Sequence, residues 1–481
     1  MKILDPDKSR QLFLKKAFID NTDQRCPKDL ENVGREILEK CNGLPLAITI
    51  VAGLLVKRRQ SQGEWEKVLK ELGRSESGVL SILELSYHDL PPQLKSCFLC
   101  LGFFDEDADI RARKLVDLWI AEGLIPQGGV AGEEKETMEE IGTSYLDELI
   151  NRNMVQAKQI SKDNQVKSCH IHDLLHELAI KKAREEISFQ ILRQGNSQSL
   201  DKARHYVVYC NAKRSIQHAR NSNLRLHSLF FHGAGKIDGS PSYWKSFELL
   251  KVLDFENFEL TNLSNGIEAL TWLRYLGLRN TKIKKLSNSF GRLKNLHVLD
   301  IANNDNEEVP NIIWKMTNLR HLYMSDIKCE LPFRIDTLKN LRTLKYIAAG
   351  NWSLKNPAQM SSLHKLGIDL DIDSNVRELF TSLAMLENLD SLNLSGLIRQ
   401  PLDQLISLLR LTHLKIKGPL AKVPNASNFP PSLSYLSLSL TSLKEAPMPI
   451  LQKLPGLLYL NFSLCSYAGE EMVFSGDGFP G

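Results

Sequence analysis

Apolar residues recur through the second half of the chain in the pattern Leu-x-x-Leu-x-apolar. The pattern begins at Leu226-Leu229-Phe231 and Leu250-Leu253-Phe255, continues through Leu319-Leu322-Met324 and Leu389-Leu392-Leu394, and reaches Leu457-Leu460-Phe462. It occurs eleven times, with successive starts 22 to 26 residues apart. Alternating apolar and variable positions have the period of a short strand. One strand per repeat is therefore predicted, apolar side chains inward and the x positions toward solvent. The segments between, such as ELPFRIDTLKN (330–340) with Leu331, Pro332, Ile335 and Leu338, supply the opposite wall of each coil. No repeat can bury its own apolar face, so the stack is held by contacts between neighbours.

That period is the one expected of a leucine-rich-repeat solenoid. The first two hundred residues lack it and carry helical spacing instead. DLENVGREILEKCNGLPLAITIVAGLLVKRR (29–59) predicts a helix, a Gly-Leu-Pro turn and a second, apolar helix. EWEKVLKEL (64–72) predicts a short amphipathic helix, and VLSILELSYHDLPPQLKSCFLCLGFF (79–104) two helices broken at Pro91-Pro92. IRARKLVDLWIAEGLI (110–125) predicts a helix ended by Gly123. MEEIGTSYLDELINRNMVQA (138–157) runs from helix into strand, and VKSCHIHDLLHELAIKKAREE (166–186) from strand into helix. Helices followed by a β-pair around 155–170 outline a helical bundle joined to a winged helix. The expected fold is therefore multidomain: an α-helical bundle plus a winged-helix domain, followed by an α/β leucine-rich-repeat solenoid. The expected boundaries are 1–75, 76–195 and 200–481, the last with about eleven repeats.

Composition narrows the function classes. A chain of 481 residues with 42% hydrophobic and 25% charged residues is ordinary soluble protein, long enough for several cores. The 61 basic minus 57 acidic residues give a net charge of +4, too balanced to imply nucleic acid. Of the eight cysteines, only Cys97 and Cys100 form a Cys-x-x-Cys, and they lie in the apolar run LKSCFLCLGFF without a second pair. Buried helix thiols in a reducing compartment are expected there, not a zinc site. The N-terminus has no apolar core of signal-peptide length, and the longest apolar stretch, GLPLAITIVAGLLV, is too short to span a bilayer. A cytoplasmic location without a membrane span is the expectation.

One stretch concentrates candidate chemistry. CHIHDLLHELA (169–179) places His172 and His176 four residues apart, a spacing that can aim two imidazoles at one ion. Glu177 follows His176, but Ile180 stands where a metalloprotease helix needs its second histidine. Leu174, Leu175, Leu178 and Ile180 read equally well as the buried stripe of a helix beginning near His172. Spacing alone leaves both readings open.

A resemblance decides between them. Gly43-Leu44-Pro45-Leu46-Ala47, then LSYHDLPPQLKSCFLCLGFFDEDADIRARKLVDLWIAEGLI (85–125), then Ile171-His172-Asp173 and the repeats follow one another in this chain. In that order they resemble the intracellular plant immune receptors of the nucleotide-binding, leucine-rich-repeat type, coiled-coil branch. The resemblance covers essentially the whole chain, and the string Trp119-Ile120-Ala121-Glu122-Gly123 makes it specific. It implies that His172, in the family's Met-His-Asp triplet, reaches the β-phosphate of bound ADP in a closed resting state, with Asp173 supporting. An imidazole N–H at a helix start suits a phosphate oxygen. It implies that Pro45 packs on the adenine. Cys169, His170, His176 and Glu177 have no family ligand role and are read as packing or surface, so no metal is expected.

The resemblance also exposes a departure. The family's Gly-x-x-x-x-Gly-Lys-Ser/Thr loop belongs well before the Gly-Leu-Pro turn and is not found there. The lookalike Gly233-Ala234-Gly235-Lys236 has Phe230 at the first glycine and Ile237 at the hydroxyl. A receptor truncated at its N-terminus is expected, acting as no enzyme. ADP/ATP switching is implied for the full-length family, with weak or no nucleotide binding by this chain. Partners implied are a pathogen effector or a guarded host protein, bound by the repeats.

The x positions Arg274, His297, Arg320, His321, Arg342 and Lys345 predict a solvent-facing basic band on the repeats. Its expected intramolecular counterparts are two acidic loops: Asp105, Glu106, Asp107 and Asp109, and Glu133, Glu134, Glu136, Glu139 and Glu140. Two other readings are weaker. A DNA-binding winged helix would use Arg111, Arg113 and Lys114, with no wider basic field to support them. An extracellular repeat protein would use the five Asn-x-Ser sequons at Asn262, Asn351, Asn393, Asn425 and Asn461 but lacks the signal and cysteine caps.

Overall fold

The computed structural model describes residues 3–18, 26–58, 61–73, 79–127, 136–161, 163–192, 203–210, 225–233, 244–260, 263, 266–304, 310, 312–325, 333–349, 352–353, 359–371, 374–469, 471–472 and 474. The chain divides into two compact units, Met1–Gln190 and Ile191–Gly481. The Gly235 and Lys236 lookalike, Leu331, Pro332, Glu133 and Glu134 lie outside the described residues.

In the first unit, α1 (Pro6–Ala17) starts with proline at its first position, and the Asp5 carboxylate accepts the Lys8 N–H at 2.8 Å. The turn between α2 (Glu31–Lys40) and α3 (Pro45–Lys57) requires glycine. Gly43 has φ +68°, and a Cβ there would sit 2.5 Å from the Leu4 carbonyl oxygen. Apolar residues cover α3 all round because it is buried on nearly every side, Leu46, Ile48, Val51 and Leu55 among them. From α4 (Gln62–Gly73), Trp65 meets Phe13 edge-on at 5.9 Å.

α5 (Val79–His88) and α6 (Pro92–Leu99) are separated at the predicted Pro91-Pro92 break. α7 (Ala112–Glu122) stops at Gly123, whose φ of 86° lets the Leu124 N–H turn back to the Trp119 carbonyl at 2.9 Å. Trp119 is fully buried, and its indole N–H donates to the Cys97 carbonyl at 3.1 Å. Cys97 and Cys100 are buried as expected, and burial pushes both thiols up. α8 (Met138–Asn151) opens with a capping box between Thr137 and Glu140. A three-stranded antiparallel sheet of β1 (Ile110–Arg111), β3 (Val166–His170) and β2 (Gln156–Ile160), in that order, forms the wing, and α9 (Asp173–Glu186) follows. The predicted helix–strand alternation of this half is present.

Between the units in sequence comes β4 (Phe189–Leu192). The second unit is a parallel stack. Its strands are β5 (His205–Cys210), β6 (Ser228–Gly233), β7 (Val252–Asp254), β8 (Tyr275–Gly277), β9 (Val298–Asp300), β10 (His321–Tyr323), β12 (Thr343–Ala348), β14 (Lys365–Leu370), β15 (Ser391–Gly396), β16 (His413–Lys417), β17 (Tyr435–Ser439) and β18 (Tyr459–Ser463). They pair in chain order. A separate pair, β11 (Phe333–Arg334) with β13 (Trp352–Ser353), stands beside them.

The second leucine of every repeat lies in one register line, from Leu229 and Leu253 through Leu299 and Leu344 to Leu436 and Leu460. Most of that line is fully buried, which is the neighbour-to-neighbour core the pattern predicts. Asparagine side chains tie coil to coil on the other edge. Asn295, Asn318 and Asn340 donate to the carbonyls of Thr271, Lys294 and Thr317 at 2.8 to 3.0 Å, and the Ser432 hydroxyl donates to Leu409 in the same place.

Two expectations are corrected. The x positions do not all face solvent: Val252, Tyr275, Val298, His321 and Thr343 are buried in the early strands. His321 stands in register between Val298 and Thr343 and stacks on Tyr323 at 6.3 Å, which leaves it 1% exposed. The second acidic loop is also partly consumed by its own helix. Glu139 is buried, and the Glu140 carboxylate accepts the Thr137 N–H at 2.7 Å.

Candidate functional site

His172 is the N-cap of α9, with extended backbone, and its Nδ1 accepts the Leu174 N–H at a long 3.4 Å. With Nδ1 accepting, a neutral imidazole carries its proton on Nε2, which leaves that nitrogen as the donor. The ring is half-buried, and Asp173 is exposed in the first helical turn, where its charge suits the helix dipole. His176, four residues on, does not share a target with His172. It is buried, and its Nε2 lies 3.0 Å from the Phe104 carbonyl oxygen. His172 works at its helix start and His176 in the core.

Pro45 is the first residue of α3, half-buried, at a helix start with no side-chain cap. Beside the same turn lies a cavity of about 570 Å³ between α1, α2 and Gly43, with Ser9, Arg10, Arg35 and Asn42 on its wall. Arg10 pairs with Glu31 at 2.5 Å, while the buried Ser9 hydroxyl has no hydrogen-bond partner. Among the described residues, no hydrogen bond or ring contact joins Pro45 to His172. The two stand on separate elements, and the cavity wall includes neither.

A network of half-buried charges holds the elements that carry them. Asp89, after α5, accepts from Arg58 at 2.9 Å and from Arg152 at 3.1 Å. Arg152 also bonds Glu148 at 2.8 Å, and Glu148 takes Lys57 at 2.7 Å. Asn153 donates from Nδ2 to the Thr49 carbonyl at 3.0 Å. The end of α3 and the turn after α8 are thus fixed together. On α7, the basic residues considered for DNA are already engaged: Arg113 pairs with Asp117 at 3.1 Å, and the Lys114 ammonium lies 5.5 Å from the Phe104 ring centroid.

On the repeats, Arg274, His297, Arg320 and Arg342 are half-buried residues immediately before their strands. Each backbone N–H donates to the carbonyl of the same position one repeat earlier, at 2.7 to 2.8 Å, so the four form one row. The row is longer than the sequence reading recognised. The same ladder places Arg204, His227 and Lys251 before Arg274, and His364 after Arg342. Eight consecutive basic or titratable side chains, from Arg204 to His364, thus precede Asp390. Strand neighbours stand ~4.8 Å apart, so their potentials add. Burial, then the charges of Lys251 and Arg204, hold His227 below the usual imidazole value. The missed residues were legible, because His227, Lys251 and His364 each follow the first leucine of a repeat. Lys345 lies three register lines further along, on β12 beside Tyr323.

Comparison with known proteins agrees with this architecture. Residues 225–481 match the family described as leucine-rich repeat region, and residues 103–179 that described as disease resistance protein winged helix domain. Disease resistance protein RPP8 of Arabidopsis thaliana is 32% identical over 514 residues, covering 99% of this chain and 55% of that protein. Probable disease resistance RPP8-like protein 4 of the same plant is 31% identical over 512 residues, covering 99% and 55%. The chain spans about half the length of the curated relatives it matches. Among solved structures, an internalin from Listeria monocytogenes aligns with 54% of this chain and 82% of its own, at 19% identity and a TM-score of 0.39. By residues 225–481 the chain belongs to the leucine-rich-repeat region family, and it carries a winged helix of the disease resistance type that it shares with these plant relatives.

Proposed function

We propose that the protein acts as a plant innate immune receptor, in which the repeats recognise a pathogen effector or a guarded host protein and the first unit reports it. The observation that carries this is the order of a disease-resistance winged helix and a long repeat stack, shared with relatives over nearly the whole chain. No helix among the described residues is long and apolar enough to cross a membrane. We place its action in the cytoplasm.

The switch we propose is exchange of ADP for ATP, with His172 donating from Nε2 to the β-phosphate in the resting state, Asp173 supporting it, and Pro45 against the adenine. The N-cap geometry of His172 supports that role, because an accepting Nδ1 leaves Nε2 of the neutral ring as a donor. Backbone amides and a lysine of a phosphate loop supply most phosphate binding in such sites, and this sequence holds no complete loop. Nucleotide binding by the chain itself is therefore weak, and hydrolysis absent. A docking of the basic row on the acidic loops of the first unit belongs to the same proposal, as the restraint that recognition releases.

The test is a version carrying the phosphate loop, expressed in leaf tissue with His172→Ala. Loss of a contact made only with ADP in the resting state shifts the balance toward the active one, so cell death should rise without any pathogen. Unchanged cell death at equal protein level refutes the switch assignment.

A further inference from the structure

We infer that the sheet face carried by β15 to β18 is a docking surface for a short, extended acidic segment of a partner protein. The inference rests on the recognition role proposed for the repeats and names the chemistry of what they take.

Three rings form a column across this face. His413, Tyr435 and Tyr459 are in register on β16, β17 and β18. His413 stacks on Tyr435 at 5.4 Å and 19°, and Tyr435 lies 6.5 Å from Tyr459. All three are half-buried, unlike the early residues of the same register line. The next outward position holds Asn393, Lys415, Ser437 and Asn461 in one line. The Lys415 ammonium lies 5.6 Å from the Tyr435 ring centroid. Lys417 follows on the same strand face, and both lysines are exposed.

The strands of this face carry charge of one sign, with Asp390 just before β15 and Asp369 on β14 as the neighbouring carboxylates. Strands β15 to β18 contain Lys415, Lys417 and His413 but no aspartate or glutamate. Carboxylates of an extended segment carry the charge that complements these exposed lysines. Four strands at ~4.8 Å spacing give a strip ~14 Å across, room for about four residues of extended chain at ~3.3 Å each. A single-stranded nucleic acid would instead need open ring faces and a longer cationic track. Here the rings already stack on one another, and two exposed lysines are few.

The experiment pans a random dodecapeptide library on the intact chain and measures the selected peptides by fluorescence anisotropy. Enrichment in aspartate and glutamate is expected, with affinity falling at least tenfold in the Lys415→Glu, Lys417→Glu double variant and in Tyr435→Ala. Circular dichroism confirms that both variants fold, and Arg292→Glu, an exposed change away from this face, should bind as wild type. Peptides without acidic enrichment, affinity unmoved by these variants, or no binders at all each overturn the inference. So does tighter binding of a labelled dodecathymidine that the same variants abolish. Peptides that bind the repeats elsewhere would overturn this face while leaving their recognition role standing. Failure of that wider role is read separately, in the leaf assay with His172→Ala.

Discussion

Gly53→Ala reverses sign between helix propensity and packing. Gly53 is interior to α3, where alanine is favoured over glycine by about 1 kcal/mol. The structure opposes that gain. A Cβ at Gly53 would meet the Arg152 carbonyl oxygen at 2.7 Å, its carbon at 2.8 Å and the Asn153 amide at 2.8 Å. Ordinary contact is ~3.5 Å, so the turn after α8 must retreat by roughly 0.7 Å. Overpacking of this kind costs about 1–3 kcal/mol. The retreat also stretches the Asn153–Thr49 hydrogen bond, another ~1 kcal/mol. The net expectation is a loss of about 1–3 kcal/mol. Arg152, moved off Asp89, should make that loss smaller at high salt relative to wild type. Urea unfolding of the intact chain, followed by far-ultraviolet circular dichroism, measures it. A variant as stable as wild type, or more stable, would refute the close approach of α3 to this turn.

Four further outcomes are expected. Calorimetry of the intact chain with ADP should show no tight binding; submicromolar affinity would refute the proposed dependence on a phosphate loop. His176→Leu should lower stability by about 1–3 kcal/mol, because the Phe104 carbonyl loses its buried partner; an unchanged urea midpoint contradicts it. Chelation with EDTA should leave the unfolding midpoint in place, since burial holds the Cys97 and Cys100 thiols protonated, and a chelator-dependent drop would reveal a structural metal. Burial raises the Asp390 carboxyl above its ordinary 3.8, against the opposing pull of Lys365, His364 and His413. The unfolded chain therefore releases that proton first, and stability falls as pH rises from about 4 through the folded value. Asp390→Asn should flatten that part of the pH–stability curve, and an unaltered curve would show that burial does not govern the carboxyl.

Periodicity was enough for the repeats. A strand-period motif recurring every 22 to 26 residues admits one way to bury its leucines, and Leu229 through Leu460 fall into a single register line. Gly123 ends α7, and Pro91-Pro92 separates α5 from α6, because backbone rules at those residues are local. The His172–His176 pair marks where local reasoning stops. Spacing put both on one helix, but only the tertiary structure shows His172 outside the helix as its cap and His176 turned to Phe104, a residue 72 positions earlier. Which x positions are open was likewise not readable. His321 and His413 occupy the same motif position, yet one is buried and the other half-exposed, because exposure depends on what stands around each strand in space. The basic row lies between these cases: its residues were visible one repeat at a time, and the parallel hydrogen-bond ladder made them neighbours. A sequence states which residue follows the first leucine; stacking at ~4.8 Å turns eight separate residues into one field.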